Sequence, residues 1–252
     1  MSCLLSFPDE IILQIFAFLD IEELLNLQTV CKRFNRLAFY DKDEFTGYGI
    51  HGGRMAQVAL PHMTRKLKTL KMIEVDMQCS SLMLRLVSCT KVSSISLFLN
   101  VTEAESWPLL IRRFGHQLKE LKLIGDSFVI DETIAKYLLN FLNPATLTTL
   151  TINLPSNALL AQFCKTFKRI THLDVTLDEC LSVKILDLLP GLKKLRFASD
   201  IPLIDSNFLV SSSAKKPYNQ LEQYDVECPI WVYNEALESY EINEIHFSRQ
   251  FN

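Results

Sequence analysis

The sequence predicts an α/β chain: a short all-helical unit at the N-terminus, then an array of about seven to eight strand–helix units. Three observations predict it. Apolar residues recur at helical spacing from Ile11 to Leu37. A six-residue pattern, apolar-x-x-apolar-x-apolar, begins at Leu67, Val92, Leu118, Leu147, Ile170, Leu192, Leu221 and Ile242. Helix-like stretches lie between its copies, so the period is that of a repeated supersecondary unit rather than of one long element.

The helical unit has its own start signals. Pro8 suits a first helical position, where a missing N–H costs nothing, and Asp9 and Glu10 favour the positive end of the helix dipole. Ile11, Ile15, Phe18 and Leu19 follow at helical spacing. Asp20 with Glu23 three residues on reads as a capping box opening a second helix. Leu24, Leu27, Val30, Cys31, Phe34 and Leu37 extend the apolar stripe. A unit of about 40 residues cannot easily hide so many apolar side chains by itself. The surplus either meets an outside partner or packs on the rest of this chain.

Phe7-Pro8-Asp9-Glu10-Ile11, Ile15-Phe16, Leu19, Glu23-Leu24, Leu27, Val30-Cys31-Lys32-Arg33-Phe34 and Leu37-Ala38 together resemble an F-box. The family pattern is a Leu-Pro start, an amphipathic helix, an acidic-Leu pair, then Val-Cys/Ser-Lys-Arg-aromatic. Here Phe7 replaces the usual Leu and Phe34 the common Trp, each keeping a large apolar group. The resemblance implies docking onto a Skp-type adaptor and, through it, a cullin. By the motif match Pro8, Ile11, Ile15, Leu24, Val30 and Cys31 are the candidate adaptor contacts, and Leu27, Phe34 and Leu37 are candidates for the small internal core.

Four of the seven glycines (Gly47, Gly49, Gly52 and Gly53) fall between residues 43 and 66, and Pro61 follows. The stripe is broken there, so the segment reads as a connector. From residue 67 the spacings between patterns are 25, 26, 29, 23, 22, 29 and 21 residues. These lie within the period of leucine-rich repeats, which the array resembles. The ninth position supports the likeness: Asn100, Asp126, Asp178 and Asp200 stand where such repeats place a short polar residue at a turn. The whole then reads as a three-helix F-box at 1–42, a connector at 43–66, and an irregular leucine-rich-repeat solenoid at 67–252. Helices are expected over 81–87, over 131–142 with Asp131 as N-cap, over 158–167 and over 182–189. Only five residues follow Phe247, so the last strand is expected to be an exposed edge.

Strand alternation sorts the faces. The fourth and sixth pattern positions are apolar in all eight copies, from Leu70 and Met72 to Ile245 and Phe247, and form core ladders. The fifth is always polar: Lys71, Ser96, Lys122, Thr151, Asp174, Arg196, Asp225 and His246. That row would line the concave binding face of a solenoid. Ile73, Phe98 and Ile124, on the same face, form an apolar patch that either grips a client or is covered by a connector or loop. With Lys122, His172, Asp174 and Arg196 they are the candidate client-binding residues.

Composition removes other classes. Hydrophobic residues at 48% and charged residues at 22% are those of a globular protein, and a net charge of −3 gives no global field for nucleic acid or anionic membrane. Seven cysteines, an odd number without C-x-x-C spacing, predict reduced thiols rather than disulfides or a zinc site. The Asn100-Val101-Thr102 sequon is then a chance match. No two of the five histidines stand at i, i+3 or i, i+4, and no phosphate-cradling glycine motif occurs. His172 and Asp174 share a strand face, but no nucleophile is placed against His172. We therefore expect no catalytic site, no metal, no cofactor and no enzyme. No signal peptide and no apolar run near 20 residues is present, which leaves the cytoplasm or nucleus. The family resemblance implies the substrate-recognition subunit of an SCF-type E3 ubiquitin ligase, acting in the ubiquitin conjugation and protein-degradation pathway. The alternative is an F-box and repeat scaffold without a ligase role. The client is not named by the sequence.

Overall fold

The computed structural model divides into two compact units, residues 1–115 and 116–252. It describes residues 4–19, 21–40, 42, 44–48, 60, 63, 67–73, 86–99, 107–125, 130–179, 181, 187–199, 223–234 and 239–250. For 21, 22, 45–48, 72, 73, 224–234 and 239–250 only the backbone is described. Asp20, Cys180 and the sequon, on which sequence expectations fell, lie outside these residues, as do most of the helices expected over 81–87 and 182–189.

The first unit opens with a short 3-10 turn, Leu4–Ser6, and three helices: α1 (Asp9–Phe16), α2 (Ile21–Gln28) and α3 (Lys32–Leu37). Pro8 stands one residue ahead of α1, as its N-cap, with an extended ψ of 156°. Its fixed φ suits that place as well as the first turn, and Asp9 and Glu10 occupy the first turn as the dipole favours. At α3 the N-cap is Cys31, whose Sγ accepts the Phe34 backbone N–H at 3.4 Å. Serine in the same place would do the same through Oγ, a physical reason for the family's Cys/Ser alternation. Phe16 of α1 meets Phe34 of α3 edge to face, with ring centroids 5.4 Å apart.

Strands β1 (Glu44–Tyr48), β2 (Thr69–Ile73) and β3 (Ser94–Phe98) follow in the same unit, paired in parallel. The segment read as a connector thus contains a strand, in register with β2 from Glu44↔Thr69 to Tyr48↔Ile73. Sequence periodicity missed it because Gly47 takes the apolar place after Phe45 and Tyr48 the polar place after Thr46, so the alternation stops within the strand. Helix α4 (Trp107–Phe114) was missed too, although Pro108 in its first turn is a start signal. It buries Trp107, Leu110, Ile111 and Phe114 on one side.

The second unit carries β4 (Glu120–Ile124), α5 (Glu132–Phe141), β5 (Thr149–Leu154), α6 (Asn157–Thr166), β6 (His172–Leu177), β7 (Lys194–Ser199), β8 (Gln223–Asn234) and β9 (Ser239–Gln250). Strands β4 to β8 pair in parallel and in sequence order. Leu121, Leu150, Leu173 and Leu195 stand opposite one another across four strands and are all buried, as are Ile152, Val175 and Phe197. These are the expected core ladders. Asp131 caps α5 by accepting the Ile134 N–H at 2.8 Å, and Ser156 caps α6 by accepting that of Leu159.

One hydrogen-bond device recurs at the start of successive strands. The Lys68 carbonyl accepts from Ser93 and Ser94, that of Lys119 from Thr148 and Thr149, that of Thr148 from Thr171 and His172, and that of Thr171 from Lys193 and Lys194. The acceptor is always the second pattern position and the donors are the second and third of the next copy. Chain repetition in sequence is therefore repetition in backbone geometry.

The eighth copy is a correction. Residues 242–247 lie in β9, which runs antiparallel to β8, with Gln223↔Gln250 and Asn234↔Ser239 in register. His246 consequently stands opposite Glu227 rather than continuing the fifth-position row past Asp225. An apolar alternation is blind to strand direction, so a hairpin satisfies the same pattern as a parallel repeat.

Candidate docking surfaces

Helix α1 is apolar on nearly every side, and the structure divides its residues. Ile12 and Phe16, one turn apart, are buried. Ile11, Ile15 and Phe18, at i, i+4 and i+7, point outward, Phe18 with 90% of its surface exposed. Phe7 and Leu5 ahead of the helix and Val30 after α2 (61% exposed) add to the apolar surface of this unit. Of the expected adaptor contacts, Pro8, Ile11, Ile15 and Val30 are exposed, and Cys31 is half-buried and occupied in capping α3. Leu24 is the correction: it is 0% exposed and belongs to the core with Phe34 and Leu37. Leu27 is half-buried. The acidic-Leu pair serves packing through its leucine, because α2 turns that position inward.

The segment before α1 is tied down by one side chain. Arg33 of α3 donates Nε to Asp9 Oδ1 at 2.7 Å, Nη1 to the Leu5 carbonyl at 2.6 Å and Nη2 to the Phe7 carbonyl at 2.6 Å. Arg36 donates to the other Asp9 oxygen at 2.7 Å. Only a guanidinium can serve three acceptors in this fan-like arrangement. Past the far end of α1, Lys42 Nζ donates to the carbonyl of Leu19 at 3.0 Å and, at 3.5 Å, to that of Ala17, the C-cap of the helix. Sequence reasoning read Arg33 only as a letter of the motif.

In the second unit the polar row is assembled by strand register: Lys122 opposite Thr151, Thr151 opposite Asp174, Asp174 opposite Arg196. His172 lies beside Thr149 and Lys194 in the neighbouring row. Both rows border an open depression of about 220 Å³ lined by Lys122, Thr149, Thr151, His172, Asp174, Lys194, Arg196 and Gln223. Thr151, expected to face solvent, is only 8% exposed, because longer side chains stand on either side of it. Arg196 Nη1 and Asp174 Oδ2 are 3.7 Å apart, a loose and half-exposed pair. His172 Nδ1 lies 2.9 Å from Thr171 Oγ1.

The apolar patch expected from Ile73, Phe98 and Ile124 divides between the units. Phe98 is half-buried on β3 of the first and Ile124 half-buried on β4 of the second, and the Ile73 side chain lies outside the described residues.

Among the described residues no cluster of His, Cys, Asp or Glu could hold a metal ion. The thiols of Cys89 and Cys164 are buried, and desolvation pushes them up to about 11 and about 12, the first slightly relieved by a backbone hydrogen bond and by Arg113. Neither is a thiolate at neutral pH, so neither is poised as a nucleophile. No described helix is long and apolar enough to cross a membrane.

No curated protein matches the sequence. The family described as F-box-like matches residues 4–42, the span that holds the Arg33 fan, the three helices and the outward apolar row. The helical segment at residues 4–42 is therefore an F-box-like domain.

Proposed function

We propose that this chain is the substrate-recognition subunit of an SCF-type E3 ubiquitin ligase. Its F-box takes the Skp-type adaptor and, through it, the cullin. Its strand–helix units, read as irregular leucine-rich repeats, take a protein client on the polar strand face. The observation that carries the reading is the coincidence of the F-box-like match with exposed Phe7, Ile11, Ile15, Phe18 and Val30. F-box domains generally bind Skp-type adaptors, and large apolar groups left in water beside a completed core favour burial against a partner. The recurring carbonyl-to-next-strand bonding and the buried leucine ladders support the repeat assignment.

On this reading the protein contributes proximity rather than chemistry. Holding client and adaptor on one chain makes ubiquitin transfer by a separate enzyme effectively intramolecular, so client lysines meet the charged conjugating enzyme at a raised local concentration. It would be no enzyme, would need no cofactor or metal, would bind neither nucleic acid nor membrane, and would work in the cytoplasm or nucleus.

The test is co-precipitation from cells of adaptor and cullin with the tagged full chain. Ile11→Asp with Ile15→Asp changes two outward side chains and should abolish capture of both while leaving the circular dichroism spectrum intact. Capture of adaptor without cullin would instead mark a scaffold, and absence of both partners with the unaltered chain would sink the proposal.

A further inference from the structure

We infer that the depression on the strand face of the second unit is a docking site for a carboxylate-rich, acidic peptide segment of the client. The inference rests on the proposed receptor role and names the chemistry that role would read. It starts from the shape. Thr149 and Thr151 of β5 are short, and Thr151 is buried to its last 8%, so β5 forms a floor. Lys122 on β4 stands to one side; Lys194 and Arg196 on β7 stand to the other. Neighbouring strands are about 4.8 Å apart, so the two cationic walls are separated by roughly three strand spacings, about 14–15 Å. An extended chain crossing the strands presents same-side residues about 7 Å apart, so it can set one carboxylate near each wall.

The charges point the same way. The lining holds three cationic side chains, Lys122, Lys194 and Arg196, against one carboxylate, Asp174, and Asp225 on β8 stands in register opposite Arg196. Asp174 is engaged with Arg196 at 3.7 Å. Lys122 and Lys194 enter none of the ion pairs formed among the described residues, and both are exposed. Glu120, on the third row beside Thr149, bounds the site at the β4 end without lining it. The surplus is therefore two lysines aimed over a threonine floor whose hydroxyls can donate. His172 lines the middle and supplies a further donor when protonated. Arg196, which faces Asp174 and has Asp225 opposite it in register, adds nothing to that surplus. Carboxylate chemistry is favoured over phosphate because the cations are spread along a strip instead of converging on one point, as a single dianion would require.

The experiment uses the full chain and three fluorescein-labelled eight-residue probes: octaglutamate, octalysine, and a neutral serine–glycine peptide. Fluorescence anisotropy should show octaglutamate binding at 50 mM salt, weakening on going to 200 mM, with no binding of the other two. Lys122→Glu with Lys194→Glu should weaken it at least about tenfold, the scale of two exposed charge contacts made repulsive, and Lys122→Gln with Lys194→Gln should weaken it less. Lys165→Glu with Lys168→Glu, on α6 and the turn after it, should leave binding within about twofold. Octaglutamate binding no tighter than the neutral probe, or an undiminished affinity in the Lys122/Lys194 variants, overturns the inference. So does a serine–glycine probe that binds only once phosphorylated and outcompetes octaglutamate. Adaptor capture is measured on the same proteins: its retention beside lost peptide binding supports the assignment, whereas its absence in the unaltered chain removes the ligase reading and leaves the peptide result standing.

Discussion

Arg33→Ala isolates what orders the F-box for docking. The side chain makes three bonds of 2.6–2.7 Å, to Asp9 and to the carbonyls of Leu5 and Phe7, and so pins the segment carrying Phe7 and Pro8 onto α3. A hydrogen bond to a charged group contributes about 1.5–3 kcal/mol when shielded and an exposed ion pair under about 1 kcal/mol. Arg33 and Asp9 are 30% and 35% exposed, between those limits. The fan as a whole then stabilises the N-terminal segment by about 1–2 kcal/mol. That corresponds to a roughly 5- to 30-fold rise in local opening. The readout is native-state hydrogen exchange at the Ile12 amide, whose bond to the Pro8 carbonyl closes the first turn of α1. Ile12 should exchange faster by that factor, while Leu160, bonded to Ser156 in the second unit, should not change. Arg33→Lys keeps the pairing with Asp9 but cannot reach all three acceptors, so it should fall between. Adaptor affinity should drop in the same order. Unaltered Ile12 exchange in Arg33→Ala would show that the segment is ordered by something other than the fan.

Other outcomes follow from burial and capping. Leu24→Ala should destabilise the first unit by about 2–5 kcal/mol in urea unfolding, because its side chain is fully enclosed, and any loss of adaptor binding should track loss of fold. Asp131→Ala and Ser156→Ala should each cost about 1 kcal/mol by removing the acceptor at the start of α5 and α6, seen as a shift in the denaturant midpoint. Stability should also fall in alkali. The folded thiols of Cys89 and Cys164 sit near 11 and 12 against 9.0 for a free thiol. Their protonated packing is fully present below pH 9 and is lost as pH rises through the folded values, so Cys164→Ala should flatten the decline between pH 9 and 12.

The sequence made some of this legible and hid the rest for identifiable reasons. The strand ladders were readable because the fourth and sixth positions alternate without exception, and the structure sets Leu121, Leu150, Leu173 and Leu195 in one buried line. Asp131 was readable as a cap because a short acceptor before an amphipathic run has a local job. Within α1 the same logic gave no answer. Ile11, Ile12, Leu13, Ile15 and Phe16 spread around the helix, and the face that turns in, with Ile12 and Phe16, is set by packing across the unit, where Phe16 meets Phe34 edge to face. Strand β1 was invisible because its extended form depends on pairing with β2, a distant segment, and not on its own alternation. The β8–β9 hairpin was hidden because Ile242, Ile245 and Phe247 fit a repeat as well as a return strand. The three-way bonding of Arg33 was hidden because a backbone carbonyl carries no residue letter.

The two surfaces differ in the force that would drive docking, and this bears on how the proposed receptor would behave. On the F-box-like unit, Leu5, Phe7, Ile11, Ile15, Phe18 and Val30 are between about two-fifths and nine-tenths exposed. At about 1.5–3 kcal/mol for each full burial, covering what remains in water offers on the order of 5 kcal/mol before association costs. The polar strand face offers charges instead, at exposed positions where each pair contributes less than about 1 kcal/mol. Salt acts on these oppositely. At about 1 M the screening length falls to about 3 Å, which removes most of the attraction at Lys122 and Lys194 and leaves the apolar contact intact. Client exchange on a stably held adaptor complex is the behaviour such a division permits, since one contact can be weak and reversible without loosening the other.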